Sequence, residues 1–109
     1  MQFKFRFTAA LVLALGSHAF AQSSPTSAAT ILHQRTLAAT CANCHGTDGR
    51  SAEGASVPSL AGQPQATLVA QLKAFKDGSR PGTIMPQLAR GLSEAQIDRL
   101  ASYFAALKR

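Results

Sequence analysis

Cys41, Ala42, Asn43, Cys44 and His45 form a CxxCH run. Two thiols three residues apart lie on one side of a helical turn. Each can add across one vinyl group of a haem, and the histidine that follows points its imidazole at the iron. Three other chemistries use similar residues. Zinc asks for four ligands, commonly a second Cys/His pair at related spacing, and outside the leader described below only His33 remains. A thioredoxin-like redox pair asks for a preceding strand and a β-rich surround. A disulfide across three residues closes a tiny loop and stabilises little. The expected chemistry is therefore one covalent haem c, with Cys41 and Cys44 as thioethers and His45 on the iron.

The second axial position decides what such an iron does. The chain has two methionines, Met1 and Met85. Met85 follows His45 by 40 residues, in the Gly- and Pro-rich stretch around Thr83-Ile84-Met85-Pro86. A methionine there is off any helical stripe, which makes it a poor core filler and a good ligand candidate. His33 is the rival, but a helix would place it about 12 Å from Cys41. An open or water-bound iron is the third option. A His45/Met85 pair leaves no position for substrate and favours the ferrous state. It suits outer-sphere electron transfer, and no acid–base constellation of catalytic residues accompanies it.

The elements that must hold these residues are helical. Residues 1–21 read as a secretory leader: Lys4 and Arg6, an apolar run at 8–16, and Ala19-Phe20-Ala21 as the cleavage site. The apolar run is too short to span a bilayer, so no stable membrane insertion is expected after cleavage, and the destination is the periplasm. Residues 22–29 read as a flexible segment and 30–109 as the single domain. Three helices are expected, over about 27–43, 64–77 and from Ser93 onward. The last carries a capping box, Ser93 with Gln96, and an apolar face of Ile97, Leu100, Phe104 and Leu107. Lys108 and Arg109 are expected to close it against the helix dipole. Segments 45–62 and 78–91 read as long loops. The fold class is all-α.

Composition points the same way. Leu, Ile, Val and Phe number 16 of the 88 residues after the leader, about 18%, below the ordinary globular range. The leader also removes four of the six Phe. Net charge is +6 overall, and nine basic against five acidic residues leave +4 after residue 21. That excess suits acidic protein surfaces and is too dispersed for nucleic acid. Lys73 and Lys76 are candidates for a docking patch.

With CANCHG, VPSLAGQ and TIMPQLARGLSEAQIDRLASYF in view, the chain resembles the class I c-type cytochromes of bacterial periplasms. It is similar to small single-haem units related to the di-haem cytochromes and to the haem subunit of flavocytochrome c sulfide dehydrogenase. The resemblance implies a small helical domain around haem c, with His45 and Met85 axial. It implies that the Pro58 carbonyl accepts the other imidazole N–H, that Leu60 packs on the haem, and that the last helix crosses the first near Phe104. It also implies redox partner proteins. One candidate is a sulfide-oxidising flavoprotein that holds the chain as a subunit; a freely diffusing carrier and a ligand-binding or peroxidatic haem protein are the alternatives.

On this reading haem is the missing core. Protein carrying Cys41→Ala and Cys44→Ala is expected to be largely unfolded by circular dichroism; a cooperative, well-folded variant would contradict the account.

Overall fold

The computed structural model describes residues Thr26–Arg109, and the expected leader lies outside them. Helix α1 spans Thr26–Ala39. Residues 26–29, expected within a flexible segment, form its first turn, because Ala28 and Ala29 lose no side-chain entropy on becoming helical. The helix also stops at Ala39 rather than Asn43. Thr40 explains the break. Its hydroxyl donates to the Leu37 carbonyl at 2.7 Å, and its N–H donates to the same oxygen at 3.3 Å. Competition of this kind tightens the backbone into a three-residue turn. The CxxCH residues therefore do not end α1. They straddle a separate single turn, α2 (Ala42–His45), followed by a 3-10 turn at Thr47–Gly49.

Helix α3 (Gln65–Asp77) starts after Pro64, whose carbonyl accepts the Leu68 N–H at 3.1 Å, and it stops at Gly78. The stretch expected as a loop from 78 to 91 contains a further helix, α4 (Met85–Arg90), and Met85 is its first residue. Pro86 makes this possible, since a proline in the first turn forfeits no helical hydrogen bond. Gln87 and Leu88 both donate to the Ile84 carbonyl, at 3.0 and 3.2 Å.

Helix α5 (Glu94–Ala106) carries the expected capping box in full. The Ser93 hydroxyl accepts the Gln96 N–H at 3.2 Å, and the Gln96 side chain accepts the Ser93 N–H at 2.8 Å. The helix ends before Lys108 and Arg109, which do not cap it as expected. They tie the chain end to the loops instead: the Lys108 carbonyl accepts from Arg50 at 2.9 Å, and Arg109 donates to the Gly62 carbonyl at 3.2 Å.

The described residues are all-α, with no strand. Helix α5 packs on both α1 and α3, and α4 packs on α3. Leu100, Ala101 and Phe104 of α5 meet Ala38 of α1 and Leu68 of α3 in one buried cluster. Burial of Leu68, Leu100 and Phe104 stabilises by roughly 1.5–3 kcal/mol each. Half of the buried apolar residues are alanines (Ala38, Ala61, Ala89, Ala101), so the protein part alone makes a thin core. Gln34 adds a polar tie between α1 and α5, donating to the Arg99 carbonyl at 2.9 Å.

Ser93→Ala is expected to lower the stability of the haem-loaded protein by about 1 kcal/mol, read from the midpoint of denaturant unfolding, with Ser93→Thr recovering most of the loss. An unchanged midpoint in Ser93→Ala would show that the box contributes nothing.

Candidate functional site

Glycine sets the path of the chain out of the CxxCH turn. Gly46 has φ +79°, and a Cβ there would lie 1.9 Å from the Arg50 carbonyl oxygen, so no side chain fits. Asp48 follows at φ 54°, the one non-glycine residue with positive φ among the described residues. Aspartate tolerates this left-handed conformation better than most side chains, and here its carboxylate is held. Tyr103 of α5 donates its hydroxyl to Asp48 Oδ1 at 2.9 Å, and Arg50 approaches Oδ2 at 3.6 Å. Burial, reinforced by the Asp48 carboxylate, holds the Tyr103 hydroxyl above the ordinary phenol range, so it remains a donor.

Gly49 then brings two distant segments together. Its φ is +70°, and a Cβ there would lie 2.8 Å from the Phe104 ring and 2.9 Å from the Leu60 Cβ. Its carbonyl accepts three hydrogen bonds: from the Leu60 N–H at 2.7 Å, the Ala61 N–H at 3.1 Å and the Ser59 hydroxyl at 2.7 Å. The residue just before this clamped segment is Pro58, and its carbonyl oxygen lies 2.7 Å from His45 Nδ1. A carbonyl can only accept, so Nδ1 carries the proton and the neutral ring keeps its lone pair on Nε2. The His45 side chain is buried, 7% exposed. The ring is thus fixed in place and tautomer, with one nitrogen prepared as a ligand. The Ser51 hydroxyl also donates to the His45 carbonyl, at 3.1 Å, bracing the same residue through its backbone.

Cys41 is half-buried against the core cluster, and Cys44 is exposed. Burial pushes the Cys41 thiol up; Thr40 opposes the shift by hydrogen bonding, and Cys44 adds to it. The two sulfurs are not joined as a disulfide. Among the described residues no three His, Cys, Asp or Glu side chains converge as metal ligands, so Cys41, Cys44 and His45 do not form a zinc corner. Thiols on one turn, an imidazole aimed by its own hydrogen bond, and a thin alanine-rich core instead fit a flat apolar group carrying its own metal.

Leu60 packs against the core cluster beside Phe104. Met85 is half-buried on α4, which rests on α3, whereas α2 rests on α1 and the 3-10 turn. No extensive packing joins α2 to α4. His33 is exposed on α1. Lys73 and Lys76, the candidates for a docking patch, pair with Glu94 at the surface. Lys73 lies 2.8 Å from Glu94, and Lys76 approaches Glu94 at 3.7 Å while donating to the Leu92 carbonyl. Lys73 accordingly draws the Glu94 carboxyl below its usual range. Gly49, Ser59 and Tyr103 escape a reading of the motif alone; the close spacing of Gly46, Asp48 and Gly49 is the only local sign of a special turn.

The sequence profile of the Cytochrome c family matches residues 34–108. The chain belongs to the cytochrome c family. Its cofactor is haem c, bound covalently. Similar proteins include the thiosulfate dehydrogenase electron acceptor of Thiomonas intermedia, 44% identical over 71 residues, covering 65% of this chain and 33% of that protein. The cytochrome subunit of sulfide dehydrogenase from Chlorobaculum tepidum is 38% identical over 73 residues, covering 67% of this chain and 64% of that one. Among solved structures, the cytochrome c4 of Acidithiobacillus ferrooxidans superposes with a TM-score of 0.66 at 31% identity, covering 72% of this chain and 51% of that chain. The chain thus spans only a third to two thirds of the length of these curated relatives.

Within this cytochrome the Gly49 junction has a quantitative consequence. Gly49→Ala is expected to destabilise the haem-loaded protein by roughly 2–4 kcal/mol, from left-handed strain plus overpacking against Phe104. Gly54→Ala isolates the backbone component, because Gly54 has φ +76° but nothing within 4 Å of a Cβ. Equal losses for the two variants in chemical unfolding would show that Phe104 contact contributes nothing.

Proposed function

We propose that this cytochrome carries single electrons in the periplasm, with Cys41 and Cys44 holding haem c through thioethers and His45 and Met85 as the axial ligands. The observation that carries the reading is the buried His45 ring, turned by Pro58 so that Nε2 is free to bind iron. Bound haem c supplies a one-electron ferric/ferrous couple. Met85 would offer a neutral thioether, a ligand that favours the reduced form and would leave no open position for oxygen or peroxide. The protein's part is otherwise to hold both ligands still, so that little reorganises when the electron moves.

Docking falls to the α4 side. Ile84 and Leu88, 58% and 55% exposed, lie four residues apart on one face around Met85. Arg80 and Arg90 bracket this stretch, and no acidic residue occurs from 78 to 93. An apolar centre with a basic surround fits a partner whose electron-exit site is apolar and rimmed by carboxylates. The likeness to a thiosulfate dehydrogenase electron acceptor and to a sulfide dehydrogenase cytochrome subunit supports a dehydrogenase of reduced sulfur compounds as the donor. Among the described residues no helix is long and apolar enough to cross a membrane; the expected leader supports the periplasmic assignment.

Ferric protein is expected to show the weak near-infrared band of methionine sulfur on iron, and Met85→Ala to abolish it while leaving haem attachment intact. Ready carbon monoxide binding by the ferrous wild-type protein would instead favour the ligand-binding alternative.

A further inference from the structure

Met85 opens a six-residue helix, and the segment leading to it lies against α3 at both ends. At its start the Arg80 N–H donates to the Ala74 carbonyl at 2.9 Å, and the Arg80 guanidinium lies over the Phe75 ring, 4.6 Å from its centroid. Stacking of this kind holds a cation over the negative face of the ring. At its end the buried Pro86 ring and the edge of Phe75 both lie beside Gly82. A Cβ on Gly82 would lie 3.1 Å from Pro86 Cδ and 3.2 Å from Phe75 Cε1. Gly82 is not among the residues with positive φ. No left-handed strain therefore opposes a side chain there, and a Cβ would require the two rings to give way by a few tenths of an ångström.

We propose that Phe75, Gly82 and Pro86, with Arg80 stacked on Phe75, form a latch that positions Met85. Pro86 is the next residue after Met85, so the placement of its ring beside Gly82 and Phe75 fixes where α4 begins and hence where the thioether lies. Phe75, Arg80 and Gly82 are positioning residues that act through Pro86. The proposal rests on Met85 being the axial ligand, and it adds what holds it there.

The test uses haem-loaded ferric protein, with the near-infrared sulfur–iron band and the rate of cyanide binding as readouts. Cyanide enters only when Met85 leaves, so its binding reports the population of the displaced state. Gly82→Ala is expected to weaken the band and speed cyanide binding, and Gly82→Val to do so by about tenfold or more. Phe75→Leu removes the ring edge, so Gly82→Ala is expected to have a smaller effect in that background than alone, a non-additive pair. A wild-type band that Met85→Ala abolishes but Gly82→Val leaves intact, with cyanide binding unchanged, overturns the latch while keeping the ligand. Lowered thermal stability in Gly82→Val without change in band or cyanide rate overturns the latch in the same way, since it marks a structural role only. A wild-type protein with no band overturns the ligand assignment, and the latch with it.

Discussion

The Gly49 carbonyl is the constraint on which the rest of the site depends. Three donors from residues 59–61 converge on it, so the segment after Pro58 has one place to lie. That placement carries the Pro58 carbonyl onto His45, and the carbonyl in turn settles which ring nitrogen bears the proton. The same glycine admits Phe104 of α5 against its backbone. A single residue without a side chain thus couples the CxxCH turn, the loop that follows it and the last helix. Any residue with a Cβ at position 49 would separate Phe104 and Leu60 from the turn, and the loss would reach the imidazole through a carbonyl nine residues further on.

Phe104 shows why so thin a core suffices. It touches the turn, the loop and α1 through Gly49, Leu60 and Ala38, so one aromatic ring serves three elements. Alanines on the facing helices allow that close approach and contribute little area themselves. The chain concentrates its polar ties near the same junction: Tyr103 to Asp48, Arg50 to the Lys108 carbonyl, Arg109 to Gly62. Charge pairs are less important. Lys73, Lys76 and Glu94 link α3 to the start of α5 on an exposed surface, where such pairs contribute little.

What the sequence made legible follows from the range of the physics involved. The CxxCH chemistry, the capping box at Ser93 and the stop at Gly78 depend on residues within four positions of one another, and local spacing reports them. The break after Ala39 depends on whether Thr40 bonds its own backbone, which periodicity does not register. Helix α4 was hidden for a related reason: six residues rich in Pro and Gly neighbours give too short a pattern, although Pro86 suits a first turn as well as it suits a loop. The Pro58 carbonyl has no side-chain signature at all. It was visible only through resemblance, because a backbone oxygen acquires its role from the Gly49 junction, and that junction joins residues ten or more apart. The pairing of Lys73 and Lys76 with Glu94, some twenty residues away, is likewise out of reach of local spacing.

The two proposed ligands are supported by unlike means, and the difference suits their tasks. His45 lies on a turn bonded through its carbonyl and its ring, and closed by a glycine with no room for a side chain at Gly46. Hydrogen bonds to backbone are directional and leave one geometry. Met85 lies on a six-residue helix that packs on α3, and side-chain packing is non-directional and yields in small steps. The histidine side therefore behaves as the fixed wall of the site and the methionine side as the compliant one. The exposed Ile84 and Leu88 stand on that compliant side, beside the proposed thioether ligand. A partner that covered these two side chains would press on α4, so the proposed docking face and the proposed ligand share one short element.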